Sequence, residues 1–61
     1  MKPSQLRANT KIKTAKGWFV VKAISFKRGA AYKAELMHNG KSIGYFDAEE
    51  LCKHITEWDV I

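Results

Sequence analysis

Residues 31–46 read AYKAELMH, then NG, then KSIGYF, so that two alternating segments flank a dipeptide able to reverse the chain. Asn-Gly is well suited to a two-residue type I′ turn, because both positions of that turn need positive φ. A two-residue loop fixes the strand register, so Leu36 is expected to face Ile43 and Ala34 to face Tyr45. The stretch therefore predicts a β-hairpin with these four side chains on one side.

The segment before the hairpin predicts a long, kinked strand. Residues 18–26 (WFVVKAISF) are rich in β-branched and aromatic residues, which favour a pleated surface. In a straight strand Lys22 would lie among the larger apolar side chains, where an ammonium group is costly. A β-bulge near Lys22 and Ala23 would switch the alternation and direct Val21 and Ile24 inward together. We therefore expect a bulge at this point.

The start of the chain predicts an arm followed by a short strand. Residues 1–9 (MKPSQLRAN) are mostly polar and include a proline, so they are expected to form a flexible N-terminal arm with Leu6 as its anchor. Residues 11–13 alternate and predict a first strand. Because a chain of 61 residues buries only one small core, residues 10–61 are expected to form a single domain.

After Phe46 the hydrophobic period changes from that of a strand to that of a helix. Asp47 and Glu50 have the spacing of a capping box at a helix N-terminus. Two turns of helix do not persist alone, so this helix must pack against the sheet. Residues 58–61 then alternate and are expected to form the last strand. The apolar stripe of the predicted helix consists of Ala48, Leu51, Cys52 and Ile55.

This order of elements resembles the SH3-like barrel. The shared features are five short strands, a kinked second strand, a tight hairpin between the third and fourth strands, and a helical turn before the last. Residues 16–24 (KGWFVVKAI) also resemble the start of a KOW-type or Tudor-type module. The resemblance covers residues 10–61. It implies a mainly β fold, namely a five-stranded partly open barrel with one short helix before the last strand. The resemblance does not by itself imply a function.

The charge is distributed unevenly along the sequence. Residues 1–46 contain ten Lys and Arg against one acid, Glu35, whereas residues 47–61 contain five acids against Lys53. A basic surface attracts polyanions, although a net charge of +5 is also ordinary for a small soluble domain. The basic residues are interleaved with aromatic residues, and this combination suits phosphates and unpaired bases. The candidate nucleic-acid or anion-binding residues are Lys11, Lys13, Lys16, Trp18, Lys27, Arg28, Tyr32, Lys33 and Lys41.

The sequence offers no pattern for catalysis or for metal binding. A zinc site needs three or four converging ligands, but Cys52 and His54 would diverge on a helix and His38 lies beside the hairpin turn. Glu49 and Glu50 are adjacent helix residues and also diverge. We therefore expect a non-enzymatic domain without cofactor or metal, in which lysines contact DNA or RNA backbone with weak sequence specificity.

The alternative function is that of a protein–protein interaction or inhibitor module. An amphipathic helix and an edge strand could dock on a larger partner, on an acidic protein surface, or on a second copy of the chain as a homodimer. Such a small chain would suit an accessory protein encoded by a phage or a mobile element. Cys52 is the single cysteine, no apolar signal segment follows Met1, and no apolar run is long enough for a membrane span. The expected location is therefore cytoplasmic, without a membrane partner.

Overall fold

The computed structural model describes residues 1–60, which form a five-stranded antiparallel sheet with one α-helix before the last strand. The sheet order is β4-β3-β2-β1-β5, so within these residues β4 and β5 are the edge strands. The predicted mainly β architecture is confirmed, while Ile61, the end of the predicted last strand, lies outside the described residues. The elements are a 3₁₀ turn (Pro3–Gln5), β1 (Thr10–Thr14), β2 (Gly17–Lys27), β3 (Ala30–His38), β4 (Lys41–Asp47), α1 (Ala48–His54) and β5 (Glu57–Val60).

The β3–β4 turn has the predicted geometry. Asn39 and Gly40 have φ values of 52° and 78°, both in the left-handed region that a type I′ turn requires. Next to the turn, His38 lies opposite Lys41 in the register set by a two-residue loop. The hairpin is therefore confirmed, and its register is the predicted one close to the turn.

Farther from the turn the predicted register is wrong. A register shift at Ile43 places Leu36 opposite Gly44 instead of Ile43, and Ala34 opposite Phe46 instead of Tyr45. Gly44 has a φ of 111°, a conformation that glycine adopts without steric penalty and that accompanies the irregular step in β4. Because of the shift, Phe46 and not Tyr45 shares the side of the hairpin that holds Leu36 and Ala34.

The bulge predicted in β2 is confirmed. The register with β3 shifts between Val21, which lies opposite Leu36, and Ala23. Lys22 is exposed at the shift, whereas Val21 is fully buried and Ile24 packs against the core. The extra residue thus lets one strand turn two apolar residues inward while its lysine stays in water.

The core lies between one face of the sheet, helix α1 and the N-terminal segment. Asp47 caps the helix, since its Oδ1 accepts a hydrogen bond from the backbone N–H of Glu50 at 3.1 Å. Leu6, expected as the anchor of the N-terminal arm, is fully buried in the same cluster as the helix. All four residues of the predicted helix stripe are buried: Ala48, Leu51, Cys52 and Ile55.

Candidate nucleic-acid interface

The candidate residues lie mainly on the outer face of the sheet, the face turned away from the core. On β1 the fully buried Ile12 points inward, so its neighbours Lys11 and Lys13 point outward. On β2, Trp18 lies opposite Lys13 and Val20 opposite Lys11, and directly paired residues share a face. The outer face therefore continues from β1 onto β2.

The first group of candidates, here called the Trp18 cluster, consists of Trp18, Lys11 and Lys13. The Nζ atoms of Lys11 and Lys13 lie 5.2 Å and 5.9 Å from the centroid of the Trp18 ring, within the range of cation–π attraction. Trp18 is 40% exposed. The Nδ1–H of His38 donates a hydrogen bond to the Trp18 carbonyl at 3.2 Å, which ties the backbone of the cluster to the end of β3.

The acidic residues of β5 lie beside the Trp18 cluster. Glu57 is opposite Lys13 and Asp59 is opposite Lys11, and the Lys13 Nζ to Glu57 Oε2 distance is 3.3 Å. One ion pair therefore offsets the charge of Lys13, and a second carboxylate lies on the strand position opposite Lys11. The sequence indicated a basic body and a separate acidic end, and only the β1–β5 pairing shows that the two meet here.

The second group, here called the Tyr32 cluster, consists of Tyr32, Lys27, Lys33 and Arg28. The Nζ atoms of Lys27 and Lys33 lie 5.1 Å and 5.4 Å from the centroid of the Tyr32 ring, which is 45% exposed. Arg28 belongs to the adjoining β2–β3 turn and has a φ of 53°. Within residues 1–60, none of these three cations takes part in an ion pair.

A second irregularity of the sheet produces the Tyr32 cluster. Ser25 pairs with Lys33 and Phe26 pairs with Ala31, so Tyr32 has no direct partner on β2. An unpaired bulge residue can direct its side chain away from the regular alternation. The sequence did not predict this bulge, although it did single out the aromatic and basic residues that the bulge brings together.

The remaining two candidates lie elsewhere. Lys16 is in the turn between β1 and β2, and Lys41 is the first residue of β4, beside the Asn39-Gly40 turn. Neither side chain has its ammonium group within cation–π distance of the Trp18 ring or the Tyr32 ring.

A concavity of about 390 Å³ adjoins the Trp18 cluster. Its apolar wall includes Val20 and Met37, which lie opposite each other on β2 and β3, and the hairpin turn forms one end. The sequence did not group these wall residues with Trp18, because the concavity depends on the pairing of β2 with β3. Its lining consists of Lys11, Trp18, Phe19, Val20, Met37, Asn39 and Gly40.

An apolar groove of about 410 Å³ lies on the opposite side of the sheet, between helix α1, β4 and the β1–β2 turn. Ile43 and Phe46 are 44% and 40% exposed there because β4 is an edge strand. Lys16, Glu50 and His54 belong to its polar rim. The apolar lining consists of Ala15, Phe19, Leu36, Ile43, Phe46 and Leu51.

The residues considered for metal binding are separated in the structure. Cys52 is buried in the helix stripe, and burial raises the pKa of its thiol, opposed by a smaller lowering from the N-terminal ammonium group. The exposed His54 lies 3.7 Å from Glu50 through Nε2 and Oε1. In the described part of the chain, no group of three or more His, Cys, Asp and Glu side chains is close enough together to hold a metal ion.

Comparisons of the chain with protein-family models, with curated proteins and with solved structures gave no match. The resemblance to SH3-like barrels therefore stays a prediction from the order of the elements. Among residues 1–60 there is no helix with the length and apolar character needed to cross a membrane.

Proposed function

We propose that this chain is a non-enzymatic binding domain that contacts the phosphate backbone of nucleic acid through the Tyr32 cluster. The observation that carries the proposal is the pair of lysines over the exposed Tyr32 ring, with Arg28 in the adjoining turn. Cations bind phosphates and release their counterions, and the aromatic ring offers a surface on which a base can stack.

The Tyr32 cluster suits a polyanion better than the Trp18 cluster does. None of its three cations forms an ion pair within residues 1–60, although Lys33 lies opposite Asp47, whereas Lys13 beside Trp18 is paired with Glu57. A phosphate approaching Lys13 would have to displace Glu57 from a contact of 3.3 Å. The first electrostatic contact of a nucleic acid is therefore expected at the β2–β3 end of the sheet.

The chemistry of the cluster favours weak sequence specificity. Lysine is a point charge that binds phosphate without reading base edges, and Arg28 is the single guanidinium of the cluster. Glu35, on the outer face between the clusters, accepts a hydrogen bond from Ser42 Oγ at 2.7 Å. Its negative charge divides the basic surface, so we expect discrete phosphate contacts and not a continuous channel.

The test compares two double variants with the same net charge. Lys27→Gln/Lys33→Gln removes two cations of the Tyr32 cluster, and the control Lys2→Gln/Lys53→Gln removes two exposed lysines elsewhere. Both lower the formal net charge from +5 to +3 (5 − 2). Binding of a labelled single-stranded oligonucleotide is measured by fluorescence anisotropy at several salt concentrations.

The native chain is expected to show a log–log salt slope of about −2, since each phosphate contact on a single strand contributes about −0.7 and the cluster has three cations. The Lys27/Lys33 variant should lose roughly two thirds of that slope and about tenfold in affinity, and the control should change little. Equal losses in both variants would show that only net charge matters. Absence of binding at low salt would refute the proposal.

A second candidate function, docking on a protein partner, is favoured by the apolar groove beside α1. Ile43 and Phe46 expose large apolar side chains at an edge strand, and such side chains supply anchors at interfaces. In the same oligonucleotide titrations, groove variants such as Phe46→Ser should leave affinity unchanged. If light scattering shows a dimer for the native chain and a monomer for Phe46→Ser, the result would favour this candidate. The partner would then be a second copy of the chain.

A further inference from the structure

We infer that the concavity beside Trp18 holds one unpaired nucleobase, so that the ligand of the outer face is a single strand and not a duplex. The inference rests on the proposed function and specifies the class of nucleic acid. It starts from the shape of the concavity, about 390 Å³ with the exposed Trp18 ring as one wall. A flat aromatic ligand fits such a site because it can stack on the indole.

The other walls of the concavity match the parts of a nucleotide. Val20 and Met37 form an apolar surface that can contact the plane or edge of a base. The Asn39-Gly40 turn at one end brings an amide side chain and backbone groups, which can hydrogen-bond to a base edge. Lys11 also lines the site, with its Nζ atom 5.2 Å from the centre of the indole ring.

The charges around the concavity explain why it would select a base and not simply a phosphate. Glu57 forms an ion pair with Lys13 and Asp59 lies opposite Lys11, so these carboxylates weaken the attraction of the site for a polyanion. Binding here must then come from stacking and apolar contact, which require an unstacked base. A duplex keeps its bases paired and stacked, whereas a single strand can present one to an aromatic side chain.

The Trp18 cluster and the Tyr32 cluster would then contact different nucleotides of one strand of nucleic acid. Trp18 and Ser25, which pairs with Lys33, are seven residues apart on β2, or about 23 Å at ~3.3 Å per residue. The ligand must therefore be several nucleotides long to reach both clusters. The Tyr32 cluster supplies the salt-dependent part of the affinity, and Trp18 supplies a salt-independent part.

The experiment uses Trp58→Phe as a background, so that Trp18 is the single tryptophan and its fluorescence reports on the concavity. A single-stranded oligonucleotide and a blunt duplex of the same sequence are titrated at equal salt. We expect the single strand to quench Trp18 and to bind more tightly than the duplex. When Lys27→Gln and Lys33→Gln are added to this background, the salt dependence of the affinity should decrease. The quenching of Trp18 fluorescence at saturating oligonucleotide should persist.

In the native background, Trp18→Leu should weaken single-strand binding by roughly 5- to 150-fold with an unchanged salt slope, as expected for the loss of one stacked base. Trp18→Phe keeps a smaller ring and should recover part of the loss, and circular dichroism checks that both variants fold. Equal affinity for duplex and single strand, or binding without quenching, would overturn the inference and leave the proposed function standing. No binding of either nucleic acid at low salt would overturn both.

Discussion

Leu6→Ala is expected to lower the free energy of unfolding by about 2–5 kcal/mol, the usual cost of deleting a fully buried leucine side chain. A domain of 61 residues has a total stability of roughly 3–9 kcal/mol at about 0.05–0.15 kcal/mol per residue. The substitution should therefore remove a large part of the stability, although it lies in the segment that the sequence assigned to a flexible arm. Urea unfolding followed by circular dichroism measures the loss.

The control for Leu6→Ala is Val60→Ala, which also deletes aliphatic carbons but at a side chain that is 76% exposed. It should change the free energy of unfolding by less than about 0.5 kcal/mol, as substitutions away from the core usually do. If Leu6→Ala were as mild as its control, the N-terminal segment would not be part of the core in solution.

Val21→Asp is expected to prevent folding in water. Val21 is fully buried opposite Leu36, and an unpaired carboxylate in such a place costs more than about 3 kcal/mol. Far-ultraviolet circular dichroism and a one-dimensional proton spectrum should both show an unfolded chain at neutral pH. Lower pH should restore part of the structure, because protonation removes the buried charge.

The matched variant is Val20→Asp, one residue earlier on the outer face. Val20 is only partly buried and lies opposite Lys11, so the new carboxylate has water and a cation nearby. The expected loss is about 1 kcal/mol, mainly from the poor β-propensity of aspartate. If Val20→Asp unfolded the chain and Val21→Asp did not, the assignment of the two faces of β2 would be wrong.

Local chemistry is what made much of the fold predictable. The Asn39-Gly40 turn and the Asp47 cap depend on neighbouring residues, and the structure has both where the sequence placed them. The bulge at Lys22 was predictable because a lysine interrupts an otherwise apolar strand face. The register beyond Ile43 was predicted wrongly, because the alternation of apolar and polar residues gives no sign of the extra residue in β4. The one local signal of the irregularity is Gly44, a glycine inside the strand.

The candidate site was predictable in its residue types but not in its grouping. Lys13 and Glu57 are far apart in the sequence, and only the pairing of β1 with β5 brings them within 3.3 Å. In the same way, Met37 joins Trp18 in one concavity through the pairing of β2 with β3. Such contacts depend on the global strand order, which periodicity within single segments does not encode.

The most direct test of the account is a titration of the isotope-labelled chain with a single-stranded oligonucleotide at low salt, followed by amide chemical shifts. We expect the largest shifts in residues 26–33, with a second group at Trp18 and the Asn39-Gly40 turn. Helix α1, which carries Glu49 and Glu50, should stay unchanged. Shifts confined to α1 and β4, or no shifts at all, would contradict the claim that the outer face of this sheet binds nucleic acid.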